Sequence, residues 1–185
     1  MTLRSLQQRL RELGYVELFQ RLDDHAITSL WNEPDAPEAL ARLALDRSAD
    51  PLTRFLAAEV VLSMDPKRFG EQDHAELAEV YAAALRGQFT LSANEWSFPD
   101  GFPGHAGQHF ISLGPAAVPA LRPLLDDDTP VLYEGSKEAM VAAEYCFRIR
   151  DLAASFLAKI LGVPFSSSQD PRARNTAIAA LKSRL

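Results

Sequence analysis

Two histidines four residues apart are the most chemically suggestive pair in this chain. His105 and His109 share one face if residues 105–113 are helical, which is the geometry of a two-ligand metal edge. No third ligand stands at a diagnostic spacing, and His74 with Glu76 and Glu79 offers no better set, so no metal is expected. The single cysteine, Cys146, sits between Tyr145 and Phe147 in apolar company. A reactive thiol wants a neighbouring base or cation, so an inert, buried thiol is expected here. Neither a Gly-x-Ser-x-Gly turn nor a phosphate-cradling Gly-rich loop occurs. These readings predict no catalytic residue and no cofactor.

Aromatic residues give a different signal. The stretch 87–104, GQFTLSANEWSFPDGFPG, has no helical period and holds Phe89, Trp96, Phe98 and Phe102. Long loops in compact domains are uncommon and often functional, and Trp and Phe make good interface anchors. The competing reading is that these rings fold back as a plug, because four rings left in water invite aggregation. A second irregular segment, Thr129 to Tyr145, carries Tyr133, Glu134, Lys137 and Glu138; it reads first as a plain loop with a capping helix, and otherwise as the rim of a concave binding surface. Trp96, Phe98, Phe102 and Tyr133 are therefore the candidate partner-binding residues.

Helices must position these segments. Leu3, Leu6, Leu10 and Leu13 recur at helical steps, with Gly14 as a C-cap. A second helical stretch spans about Tyr15 to Trp31, with a break near Asp23-Asp24. Ala39, Leu40, Leu43 and Ala44 predict a third helix after Pro37. Asp50-Pro51 opens a fourth, because Asp caps and Pro fits the first turn, and Asp65-Pro66 repeats that punctuation. A fifth covers about Asp73 to Leu85, and helices resume at about His105. Pro119 and Pro123 predict a short or bent helix after Gly114-Pro115. Further helices are expected from about Ser136, over the apolar run Asp151 to Leu161, and from Asp170-Pro171. No stretch alternates convincingly as a strand, so the expected class is all-α in one domain, 1–185.

A short pattern repeats. Arg54 is followed by Ala57, Ala58 and Val61, Arg150 by Ala153, Ala154 and Leu157, and Arg174 by Ala177, Ile178 and Leu181. Each is an Arg with small or apolar residues at +3 and +4 and an apolar one at +7. This resembles the second helix of HEAT-like repeats, and Gly114 to Leu125, with its internal Pro119, resembles the first. The resemblance implies an α-α superhelix of stacked helix pairs. It also implies binding, since such proteins are mostly scaffolds that grip another protein. A few are enzymes, including DNA glycosylases and a di-iron hydroxylase, and fold alone does not choose among these.

Charge narrows the choice. From Arg148 onward seven Lys/Arg face two Asp/Glu, a net of +5, whereas the preceding residues carry twelve against twenty-three, a net of −11. An acidic body lacks the basic groove that nucleic acid demands, which disfavours a glycosylase. The N-terminal MTLRSLQQRLREL has no apolar core or small-residue cleavage site, and no apolar run reaches membrane-spanning length. With one cysteine, these features predict a cytoplasmic protein without a membrane partner. The expected function is a non-catalytic protein-interaction module with a protein partner, a basic one. The alternative is an enzyme on a HEAT-like scaffold, glycosylase-like or metal-dependent.

Overall fold

The computed structural model describes residues 2–185 apart from 22, 23, 91, 100 and 102, with Ser136 placed in its helix but not its side chain. Helix accounts for 70% of the chain, and the described residues contain no strand. One isolated antiparallel bridge joins Pro130 to Arg148. None of the described helices is long and apolar enough to cross a membrane. The backbone clusters into two compact units, Met1–Ala84 and Leu85–Leu185.

The first unit holds α1 (Leu3–Tyr15), α2 (His25–Trp31), α3 (Ala36–Leu45), α4 (Pro51–Met64) and most of α5 (His74–Gly87). Local chemistry sets these boundaries. The Thr2 hydroxyl accepts from the Ser5 amide at 3.2 Å to open α1. Gly14 ends its regular part at φ 64, a conformation that glycine adopts without a Cβ penalty. A π-helical turn, Val16–Gln20, follows, and the expected break at Asp23-Asp24 falls partly on residues outside those described. Asp50 caps α4 by accepting from the Leu52 amide at 3.1 Å, with Pro51 in the first turn. Asp65-Pro66 does otherwise: Asp65 closes α4, its amide donating to the Val61 carbonyl at 2.8 Å. Leu6, Leu10, Leu40, Leu43, Leu56 and Leu77 are all fully buried.

One carboxylate sits inside that core. Glu59 on α4 is buried and accepts hydrogen bonds from the hydroxyls of Tyr15, at 3.4 Å, and Tyr81. Phe55 lies between the same two rings, stacked on Tyr15 at 5.8 Å and edge-on to Tyr81 at 5.4 Å. The phenols satisfy a charge whose burial would otherwise be costly. Burial first, and the Glu59 charge second, hold the Tyr81 hydroxyl well above its usual pKa.

The second unit is built around α9 (Ile149–Leu161), against which α6 (His105–Ser112), α7 (Val118–Leu121) and α10 (Pro171–Lys182) pack. Ile149 through Ala158 are almost all buried, as a helix apolar all round must be. Pro119 and Pro123 cut the preceding stretch into a 3-10 turn, the four-residue α7 and another 3-10 turn, Arg122–Asp126. Gly162 ends α9 in the left-handed conformation at φ 65. Asp170 caps α10 through the Arg172 amide at 2.9 Å. α8 (Ser136–Tyr145) lies on the surface, its described side chains all exposed or half-buried.

The repeated arginines do matching work. Arg54 Nε donates to the Ala44 carbonyl at 3.1 Å, in the last turn of α3, and its guanidinium pairs with Glu76. Arg150 Nε donates to the Leu125 carbonyl at 3.1 Å, at the end of the Arg122–Asp126 turn, and pairs with Asp128 at 2.8 Å. Each satisfies an orphan carbonyl at the end of the preceding helical segment. The small residues that follow, Ala57-Ala58 and Ala153-Ala154, are fully buried.

Candidate functional site

The two irregular segments of the second unit meet, and their meeting is the candidate site. The 129–147 insertion is closed at its base by backbone pairs: Val131 donates to the Phe147 carbonyl, Ile149 to Thr129 and Arg150 to Asp127, each at 3.0 Å. The 88–104 loop is laced to the same base. Ala93 donates to the Leu132 carbonyl at 2.6 Å. The Asn94 side chain bonds the Glu134 backbone both ways, donating to its carbonyl at 2.8 Å and accepting from its amide at 3.1 Å. Gln88 Nε2 reaches the Pro130 carbonyl at 3.3 Å. Backbone pairing of this kind lets buried irregular chain satisfy its polar groups.

Of the predicted contact residues, the structure brings Phe98 and Tyr133 together. Their rings stack at 4.4 Å with a 6° tilt, and the Tyr133 hydroxyl donates to the Ser97 carbonyl at 2.9 Å. Phe147 packs against both, at 5.9 and 6.3 Å. Tyr133 is only 8% exposed, and burial pushes its pKa up, with the Asp151 charge adding to the shift. Phe98 is half-buried.

Trp96 belongs to a separate cluster. It is 1% exposed and meets Phe110 at 6.4 Å and Phe156 at 6.3 Å. Its Nε1 donates to the Thr90 hydroxyl at 3.0 Å, and that hydroxyl donates onward to the Ser92 carbonyl at 2.8 Å. The space left beside it, bounded by Leu85, Thr90, Ala93 and Val131, is about 10 Å³, too little for more than one water. So Trp96 fills the interior of the second unit. Gly104 permits this tight seat, because a Cβ there would run into the backbone carbonyls of Asn94 and Glu95. Phe102 lies outside the described residues.

An arginine that sequence reasoning took only as part of a repeat holds the insertion from below. Arg174 on α10 is fully buried and spends all five donors. Nε pairs with the buried Asp151 at 3.2 Å, Nη1 donates to the Ser168 and Gln169 carbonyls, and Nη2 donates to those of Tyr145 and Cys146. Its guanidinium also lies 5.3 Å from the Phe147 ring. Arg148 joins the network through Asp151 and Asp128, both at 3.0 Å.

The insertion presents two large apolar side chains outward among exposed charged ones. Leu132 is 67% exposed and Met140, on α8, 68%. Around them the segment 129–145 carries three Glu against one Lys. Sequence reasoning passed over both residues because neither belongs to an aromatic cluster or a periodic face. It also expected Cys146 to be buried, and the structure corrects this. Cys146 takes φ 50 to turn the chain out of α8, which leaves its thiol exposed. The two histidines do share a face of α6, with rings 4.5 Å apart. No family model, curated protein or solved structure matches this chain.

Proposed function

We propose that this protein is a non-catalytic interaction module that grips a basic protein through the 129–145 insertion. The observation that carries the reading is the pair Leu132 and Met140. Both are two-thirds exposed on a segment whose base is fixed by backbone pairing, the Phe98–Tyr133 stack and Arg174. Apolar anchors on a preorganised support lose little entropy when they bind. Burying a Leu or Met side chain is worth roughly 1.5–3 kcal/mol. The excess of glutamates around them would speed encounter with a cationic partner and disfavour an acidic one. Phe98 and Tyr133 enter this reading as supports beneath the contact surface, and Trp96 as the packing behind them.

The scaffold reading belongs to the same proposal. We take the helix pairs for HEAT-like units of an α-α superhelix, supported by the matching contacts of Arg54 and Arg150 and the buried alanine pairs behind them. A photo-crosslinking residue placed at 140 tests the binding function in native lysate. The reading expects crosslinked species that unlabelled wild-type protein competes away and the Leu132→Asp/Met140→Asp variant does not. Equal competition by both would remove the insertion from the interface.

A further inference from the structure

The last helix shows a second, independent surface. α4, α9 and α10 share the Arg-centred pattern, and their +3 and +4 positions can be compared directly. In α4 and α9 both positions are fully buried alanines. In α10 the +4 residue, Ile178, is buried, but the +3 residue, Ala177, is half-open, and only Arg174, Ile178 and Leu181 of this helix are buried. The face that other helices cover in α4 and α9 is uncovered here.

That face is one side of a groove. Val163, Pro164 and Phe165 form the opposite wall, Ala177 and Ala180 the α10 side, and Arg184 one end, around a hollow of about 240 Å³. This lies below the roughly 300–1,000 Å³ of small-molecule pockets, and suits one or two anchoring side chains of a larger partner. Ala177, Ala180 and Arg184 fall at i, i+3 and i+7, so the groove follows one side of the C-terminal part of α10. The charge beside it is unmatched. Asp170 is the one acidic residue from 162 to 185, and it caps α10. Among the described residues, Arg184 has no carboxylate within ion-pair distance, whereas Lys182 pairs with Asp126 and Arg174 with Asp151.

We propose that the groove between α10 and residues 163–166 docks an acidic amphipathic helix of a partner protein. Its leucine-type side chains enter beside Phe165, Ala177 and Ala180, and a carboxylate on it meets Arg184. Small residues let a partner backbone come close, and ridge-into-groove packing selects a helix. No residue of the 129–145 insertion lines this groove, and the proposal does not depend on the role of Leu132 and Met140.

Fluorescence anisotropy with a labelled synthetic peptide tests it. The peptide carries leucines at i, i+3, i+4 and i+7 with glutamates elsewhere, and a same-composition scramble serves as control. The intact protein should bind the amphipathic peptide at least tenfold more tightly than the scramble, and more weakly as salt rises. Ala180→Glu and Arg184→Glu should each weaken binding at least fivefold with unchanged melting temperature, since both side chains are exposed. The Leu132→Asp/Met140→Asp variant should bind the peptide normally. Equal binding of peptide and scramble, or full binding by Ala180→Glu, would overturn the proposal.

Discussion

Phe98 and Tyr133 come from two different irregular segments, yet their rings lie parallel at 4.4 Å and join those segments into one support. The Tyr133 hydroxyl ties back to Ser97, the residue before its stacking partner. The contact thus ties the 88–104 loop to the base of the insertion that displays Leu132 and Met140.

A double-mutant cycle measures that tie. Phe98→Leu and Tyr133→Leu should each destabilise the second unit. The double variant should lose less than the sum, with a coupling of about 0.5–1.5 kcal/mol as aromatic pairs show. Additive losses in urea denaturation would mean that the stack holds nothing together.

Arg174 should matter more than any surface arginine. It is buried against Asp151 and satisfies four backbone carbonyls, so Arg174→Met should cost about 3–5 kcal/mol, the range for breaking a buried pair. Arg174→Lys should recover little, because one ammonium cannot span Asp151, the 168–169 turn and the 145–146 turn together. Chemical denaturation of both variants checks this, with Arg172→Met as the near-neutral surface control.

Alkaline pH should expose the buried phenols. Tyr81 and Tyr133 are both held above the ordinary tyrosine value of 10.0, chiefly by burial. Below pH 10 the folded and unfolded chains both keep these protons, so the contribution is fully present. Above it the unfolded chain ionises first, and stability falls by roughly 1.4 kcal/mol per pH unit for each tyrosine until the folded group ionises too. Denaturant midpoints between pH 9 and 11 should drop in wild type and flatten in Tyr81→Phe and Tyr133→Phe. A wild-type profile level across that range would mean that neither hydroxyl is held protonated by the fold.

The helices were legible because their signals are local. Asp50-Pro51 and Asp170-Pro171 mark helix starts, Gly14 and Gly162 mark ends, and the paired alanines after Arg54 and Arg150 mark close packing. Asp65-Pro66 carries the same dipeptide yet closes α4, since capping depends on where the apolar run begins. The candidate site was legible only in part. Both irregular segments stood out by composition, but Ala93 meets Leu132 and Asn94 meets Glu134 through bonds that span about forty residues and follow no period. Glu59 was hidden because an acidic residue in an apolar helix reads as surface until two tyrosines from elsewhere in the chain are brought to it.

The most direct test of the interaction-module account is the affinity for the captured basic partner, measured by titration calorimetry with wild type and Leu132→Asp/Met140→Asp. Both side chains are two-thirds exposed, so the melting temperatures should agree within about 2 °C. The account predicts that the double variant binds at least thirtyfold more weakly, about 2 kcal/mol, as the loss of hot-spot anchors does. An unchanged dissociation constant in a variant that melts normally would contradict it.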